Sequence, residues 1–145
     1  MTRWACVAAV ILILTLVVAG CSGRWQSGQG FRLPEGNIGA GRQAFLDLQC
    51  HTCHRVKGER LPPSTHPAVA LGGQVTVVPT VGQLTTDVIN PSAHLATGYP
   101  REQIVVDGHS RMPDLTERMT VRQLTHIVAF LHSHYDAVLP PHPVS

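Results

Sequence analysis

Cys50-His51-Thr52-Cys53-His54 is the stretch on which the reading of this chain turns. Two thiols separated by two residues have the reach to add across the two vinyl groups of a porphyrin and hold it through thioethers. The histidine that follows can offer a ring nitrogen to the iron beneath. In that reading Cys50, Cys53 and His54 attach and ligate one c-type haem, and residues 37–136 wrap and partly shield it. The competing uses of such a cysteine pair are a short disulfide and half of a zinc site. No second ligand pair and no paired-histidine zinc spacing accompany it, and His54 directly follows the second thiol, so haem is the favoured use. No second motif of this kind occurs, which limits the chain to one covalent haem.

Composition agrees. Only 5% of the residues are aromatic, thin for the core of a domain of about 100 residues, and a buried porphyrin would supply the missing apolar bulk. The formal charge of +2, with Lys57 the sole lysine and no basic cluster, argues against nucleic acid as a partner.

Upstream, Arg3 and the apolar run from Val7 to Ala19, broken only by Thr15, read as a targeting signal over residues 1–20. The run is short for a spanning helix, which needs about 20 residues. It closes on Val18-Ala19-Gly20-Cys21, which resembles the lipobox of bacterial lipoproteins and makes Cys21 the candidate for lipidation. An uncleaved N-terminal anchor is the alternative, and either reading puts the domain outside the cytoplasm on a membrane. Two or more acyl chains would anchor it stably. The expected site is the periplasmic side of a bacterial membrane, with Ser22 tilting toward the outer one by analogy with bacterial sorting. Residues 21–36 then form a lipidated cysteine and a glycine-rich tether of about 20 Å r.m.s. if flexible. Trp25 and Phe31 could rest at the headgroup interface or pack on the domain.

Downstream, a first helix is expected after the cap residue Asn37, with Ile38, Gly41, Phe45 and Leu48 on one face, running into Cys50. Glycine on an apolar face makes sense where another helix crosses at close range. Pro62-Pro63 mark a loop, and residues 64–79 read as irregular, packed on the haem. Thr80 and Gln83 match a capping box for a short helix to about Asn90, stopped by Pro91. Arg101 to Val106 is ambiguous between helix and extended chain. Thr120 and Gln123 form a second box, and Val121, Leu124, Ile127, Val128 and Leu131 make the apolar stripe of a last helix reaching about His134 or Tyr135. Residues 137–145 read as a proline-rich tail. The fold class is all-α, with three to five helices and long loops covering one cofactor.

The second axial ligand decides whether the iron carries electrons or binds small molecules. Met112, held in a loop by Pro113, is favoured over Met119, which sits just before a helix cap. His109 is the main rival, its simpler role that of a solvated turn residue. His126, His132 and His134 read as a polar helix face, with His126 and His134 within possible reach of a haem propionate. His51 and His66 are assigned no special role.

Gly41-Arg-Gln-Ala-Phe45 leading to Cys50–His54, Ile89-Asn-Pro-Ser-Ala-His-Leu through Gly98-Tyr-Pro, and Arg111-Met-Pro-Asp-Leu with the last helix together resemble the mono-haem class I cytochromes c of the bacterial membrane-attached (lipoprotein) kind. The resemblance implies the all-α cytochrome c fold, Met112 as iron ligand, Phe45 packed on Phe130, and a Pro62 or Pro63 carbonyl accepting from the second nitrogen of His54. It implies an electron carrier of a respiratory-type chain rather than an enzyme. Its partners would be redox proteins, such as a quinol-oxidising donor and a terminal oxidase as acceptor. A peroxidase-like enzyme or gas sensor with a labile methionine, or a fixed subunit of an oxidase or dehydrogenase, are the alternatives. One spacing departs from the family: Phe45 stands five residues before Cys50 where four are common.

Overall fold

The computed structural model describes residues 32–138. The signal, Cys21, the tether as far as Phe31 and the end of the tail lie outside that range; residues 32–36 lie within it, and Leu33 packs against the core. Four α-helices carry the core: α1 (Ile38–Asp47), α2 (Val81–Ile89), the single turn α3 (Arg101–Ile104) and α4 (Val121–His132).

Local chemistry sets most of their ends. Asn37 caps α1 by accepting from Ala40 N at 2.8 Å. Thr80 and Thr120 both form complete capping boxes with Gln83 and Gln123. The first helix stops short of the motif. It ends at Asp47, and Gln49 takes a left-handed φ of 59° before a 3₁₀ turn over Cys50–Thr52. That break falls where the Phe45–Cys50 spacing departs from the family pattern. The last helix likewise ends at His132, earlier than its apolar stripe suggested, because Ser133 and His134 turn the chain out of register.

Apolar burial holds α1 across α4. Phe45 and Phe130 are almost fully buried, with ring centroids 5.6 Å apart and planes tilted by 60°. Gly41 is buried at the crossing, where a Cβ would collide with the His126 carbonyl and come within 2.7 Å of the Phe130 Cβ. Only glycine allows the two backbones that close. Leu84 and Val88 of α2 join the same core. The two buried threonines, Thr85 and Thr125, satisfy their hydroxyls on the Val81 and Val121 carbonyls one turn back.

Three short ladders run through stretches read as loop, as ambiguous, or as the end of the last helix. β1 (His54–Val56) pairs in parallel with β2 (Val69–Leu71), and β3 (Gly73–Val75) in parallel with β6 (Tyr135–Ala137). β4 (Val105–Val106) and β5 (His109–Ser110) form an antiparallel hairpin whose turn, Asp107-Gly108, has positive φ at both residues. That resolves Arg101–Val106 as one helical turn followed by a strand. No helix among the described residues is long and apolar enough to cross a membrane.

Candidate cofactor site

The 3₁₀ turn presents Cys50 and ends on Cys53, and His54 opens β1. Both cysteines are half-buried free thiols, so the disulfide alternative is not formed. Burial pushes the Cys50 thiol up to about 11, against a smaller opposing pull from its own backbone and with a small further push from Cys53. Cys50 therefore stays a thiol at neutral pH in this fold.

Two adjoining cavities lie beside this turn. The larger, of about 570 Å³, runs from Cys53, His54, Val69 and Leu71 across to Pro91 and residues 94–97, 102–104 and 110–112. The smaller, of about 110 Å³, is walled by Phe45, Leu84, Val88, Leu115, Ile127 and Leu131, with Cys50 at its edge. His54, Leu71, Asp87 and Met112 line both, so the cavities form an outer and an inner lobe of one cleft. The size is that of a cofactor site rather than a packing defect.

The cleft sorts the sequence candidates. Met112 shares it with His54, which is what two ligands of one iron require. Met119 lines neither lobe and packs against the apolar core. His109 lies exposed on β5 and lines neither lobe. The two histidines offered as propionate partners are engaged elsewhere. His126 Nδ1 accepts from Asn37 N at 3.0 Å, tying α4 to the start of α1. His134 places Nε2 3.2 Å from Glu59 and Nδ1 2.7 Å from the Phe130 carbonyl. In their place the cleft brings in His66, His94 and Arg111, which the sequence did not single out for this role. Their side chains sit on loops and a hairpin, where no periodicity marks the inward face.

The donor set fits an iron porphyrin. Burial pushes the His54 imidazole below its usual value, the Val69 backbone opposing weakly, which leaves the neutral, ligating form at neutral pH. His54 Nδ1 is buried with no hydrogen-bond partner. The bond from a Pro62 or Pro63 carbonyl is therefore not made. Both prolines are exposed, and the backbone that acts on the ring is that of Val69, its ladder partner. A neutral buried imidazole, a thioether in the same cleft and two thiols at its edge match a covalently held haem chemically.

The family model for cytochrome c matches residues 38–134, from the first residue of α1 through the end of the core. The chain belongs to the cytochrome c family. Its members bind haem c and its iron covalently, and this cytochrome c accordingly carries that cofactor. The family supports an electron-carrier haem protein with redox-protein partners. No curated protein and no solved structure matches the chain significantly.

Away from the cleft, one polar cluster closes the fold on the attachment side. Arg42 Nε donates to Glu59 Oε2 at 3.0 Å, and its Nη2 donates to the Arg60 carbonyl at 2.8 Å. The Arg42 guanidinium, with a lesser contribution from His134, holds the Glu59 carboxyl below its ordinary range against a burial effect of opposite sign. Helix α1, the segment after β1 and the end of α4 are thereby tied together.

Proposed function

We propose that this cytochrome c is a one-electron carrier whose haem is bound by Cys50 and Cys53 and ligated axially by His54 and Met112. When bound, the haem supplies an iron that alternates between ferrous and ferric. Cys50 and Cys53 would hold the haem through thioethers, a thiol's sulfur going to one vinyl carbon and its hydrogen to the other, so that no oxidant would be needed. His54 donates a neutral imidazole, and Met112 a thioether that favours the reduced iron. Phe45, Leu84, Val88, Ile127 and Leu131 keep water from the inner edge, which raises the cost of the more charged ferric state.

The observation that carries this reading is that His54 and Met112 line both lobes of one cleft. If His54 and Met112 both hold the iron, no position on the metal would be left for a substrate, and electrons would pass through small, transient contacts with redox partners. Cys21 as a lipidated residue and the segment that follows it as a tether would hold the carrier at the periplasmic side of a membrane. There it would serve membrane-associated donors and acceptors of a respiratory-type chain, a terminal oxidase among them.

Purified ferric holoprotein is expected to be low-spin, and its ferrous form unreactive with carbon monoxide. A high-spin iron that binds carbon monoxide or peroxide readily would turn the reading to a haem enzyme or gas sensor. Mass spectrometry of the mature N-terminus tests the anchor: a diacylated or triacylated Cys21 is expected, and an unmodified Met1 start would remove it.

A further inference from the structure

The two sides of the outer lobe meet across one hydrogen bond that the site described above leaves without a role. We propose that Tyr99 is a latch between those sides, a positioning residue that keeps Met112 in the cleft and closes the lobe to small ligands of the iron. The inference rests on the His54–Met112 reading argued above.

The bond begins at a strand edge. β1 and β2 run parallel, with Arg55 opposite Ala70. Val69 N donates to the Cys53 carbonyl and Lys57 N to the Leu71 carbonyl, both at 2.9 Å, so residues 69 and 71 turn their backbone toward β1. Ala70 between them turns its N–H the other way, to the free edge of the ladder. An edge N–H of that kind is open to any acceptor that reaches it. Here it donates to the Tyr99 hydroxyl at 2.8 Å, from a residue 29 positions away along the chain.

The position of the bond relative to the lobe is set by its neighbours. Val69 and Leu71 line the outer lobe on one side, and residues 95–97 and 102–104 line it on the other, whereas Ala70 and Tyr99 do not. The bond therefore spans the rim, from one wall to the other. Tyr99 is half-buried there, and Pro100 directly after it caps α3 with its φ held at −54° by the ring. Among the described residues no other hydrogen bond joins residues 91–119 to β1 or β2.

From Tyr99 the connection reaches the ligand in few steps. The last residue of α3, Ile104, accepts from Arg111 N at 2.8 Å, and the Glu102 carbonyl accepts from Arg111 Nη2 at 3.1 Å. The residue before Met112 is thus tied twice to the turn that Tyr99 leads into. Met112 N in turn donates to Ser110 Oγ at 3.2 Å. Residues 99–112 form one connected piece that contains no buried side chain. With so little packing, a single hydrogen bond is a large share of what holds the piece in place. Breaking it lets the piece swing away from β2 and carry Met112 off the iron.

The test uses the ferric holoprotein and imidazole, which can occupy the iron only where Met112 has left it. Wild type, Tyr99→Phe and Thr120→Ala are titrated with imidazole while the sulfur-to-iron charge-transfer band is followed, and amide hydrogen exchange is measured residue by residue. Tyr99→Phe keeps the ring and removes only the acceptor. Its affinity for imidazole should rise about fivefold, the effect of one hydrogen bond on a local opening. Its Ala70 amide should lose protection, while that of Val69, bonded to β1, keeps it. Thr120→Ala loosens the fold at α4 instead and should bind imidazole as the wild type does. Wild-type imidazole affinity in Tyr99→Phe would overturn the proposal. So would an equal gain in Thr120→Ala, because imidazole would then enter by general loosening and not past this rim. Absence of the sulfur band in the wild type would instead defeat the Met112 reading, and the Ala70 amide in Tyr99→Phe would still decide whether the two walls are tied there.

Discussion

The two walls of the haem cleft are built on different physics. On the attachment side, α1 and α4 cross at Gly41, bury Phe45 against Phe130, and are tied to the segment after β1 through Arg42, Glu59 and His134. On the far side, among residues 91–119, only Leu115 is buried. That wall consists of a single helical turn, a two-residue hairpin and capped turns such as Asp114 accepting from Thr116 N at 2.8 Å. One wall is packed protein on protein, and the other presents its inward side chains to the cleft. Attachment is therefore written into the core, whereas Met112, the second ligand we propose, rides on a segment with little apolar packing of its own.

That contrast can be broken hardest at the helix crossing. Gly41→Val would force a side chain into the His126 backbone and the Phe130 Cβ. It should cost on the order of 3 kcal/mol, a large part of the stability of a small domain. Denaturant unfolding of the holoprotein would show it. A near-native midpoint would mean the helices can part without consequence, and the distinction between the walls would fail.

A smaller effect is expected at the polar tie. Glu59→Gln removes the carboxylate from Arg42 and His134, a change worth about 0.5–1 kcal/mol at neutral pH for a partly exposed pair. The folded-state pKa of Glu59 lies below its ordinary 4.5. Its contribution is therefore present above that value and lost as pH falls through the folded value. Unfolding curves of wild type and variant should converge in acid. A constant gap down to pH 2 would show that Glu59 acts by shape and not by charge.

The capping boxes sharpen the comparison at the low end. Thr120→Ala at the start of α4 should lower global stability by about 1 kcal/mol. Thr80→Ala at the start of α2 loses the matching bond from Gln83 N. Its cost should show more in hydrogen exchange of that short helix than in global unfolding. Equal global losses would place α2 in the same cooperative unit as the α1–α4 pair.

What the sequence reveals follows the same division. Asn37 as cap, both capping boxes, the glycine at a crossing and the α4 stripe from Leu124 to Leu131 are local or periodic signals that the structure bears out, while Val121 at the head of the stripe is exposed. The three ladders were not legible. Strands of two or three residues carry almost no alternation, and the β3–β6 pair joins the middle of the chain to its end. The left-handed Gln49 that halts α1 before Cys50 was equally hidden, since glutamine gives no warning of positive φ. Of the residues we propose for the site, Cys50, Cys53 and His54 stand out by spacing and Met112 by its proline. His66, His94 and Arg111 do not, because only the folded loops bring them to one cleft.

The central claim is that one cleft supplies both axial ligands. The most direct test compares the ferric wild-type holoprotein with Met112→Ala, following the sulfur-to-iron band and the haem that stays covalently attached after acid extraction. The expected result is full attachment in both proteins, with the band present in the wild type and absent in the variant, whose iron then opens to carbon monoxide on reduction. An unchanged band in Met112→Ala would contradict the account, because another residue would then hold the iron.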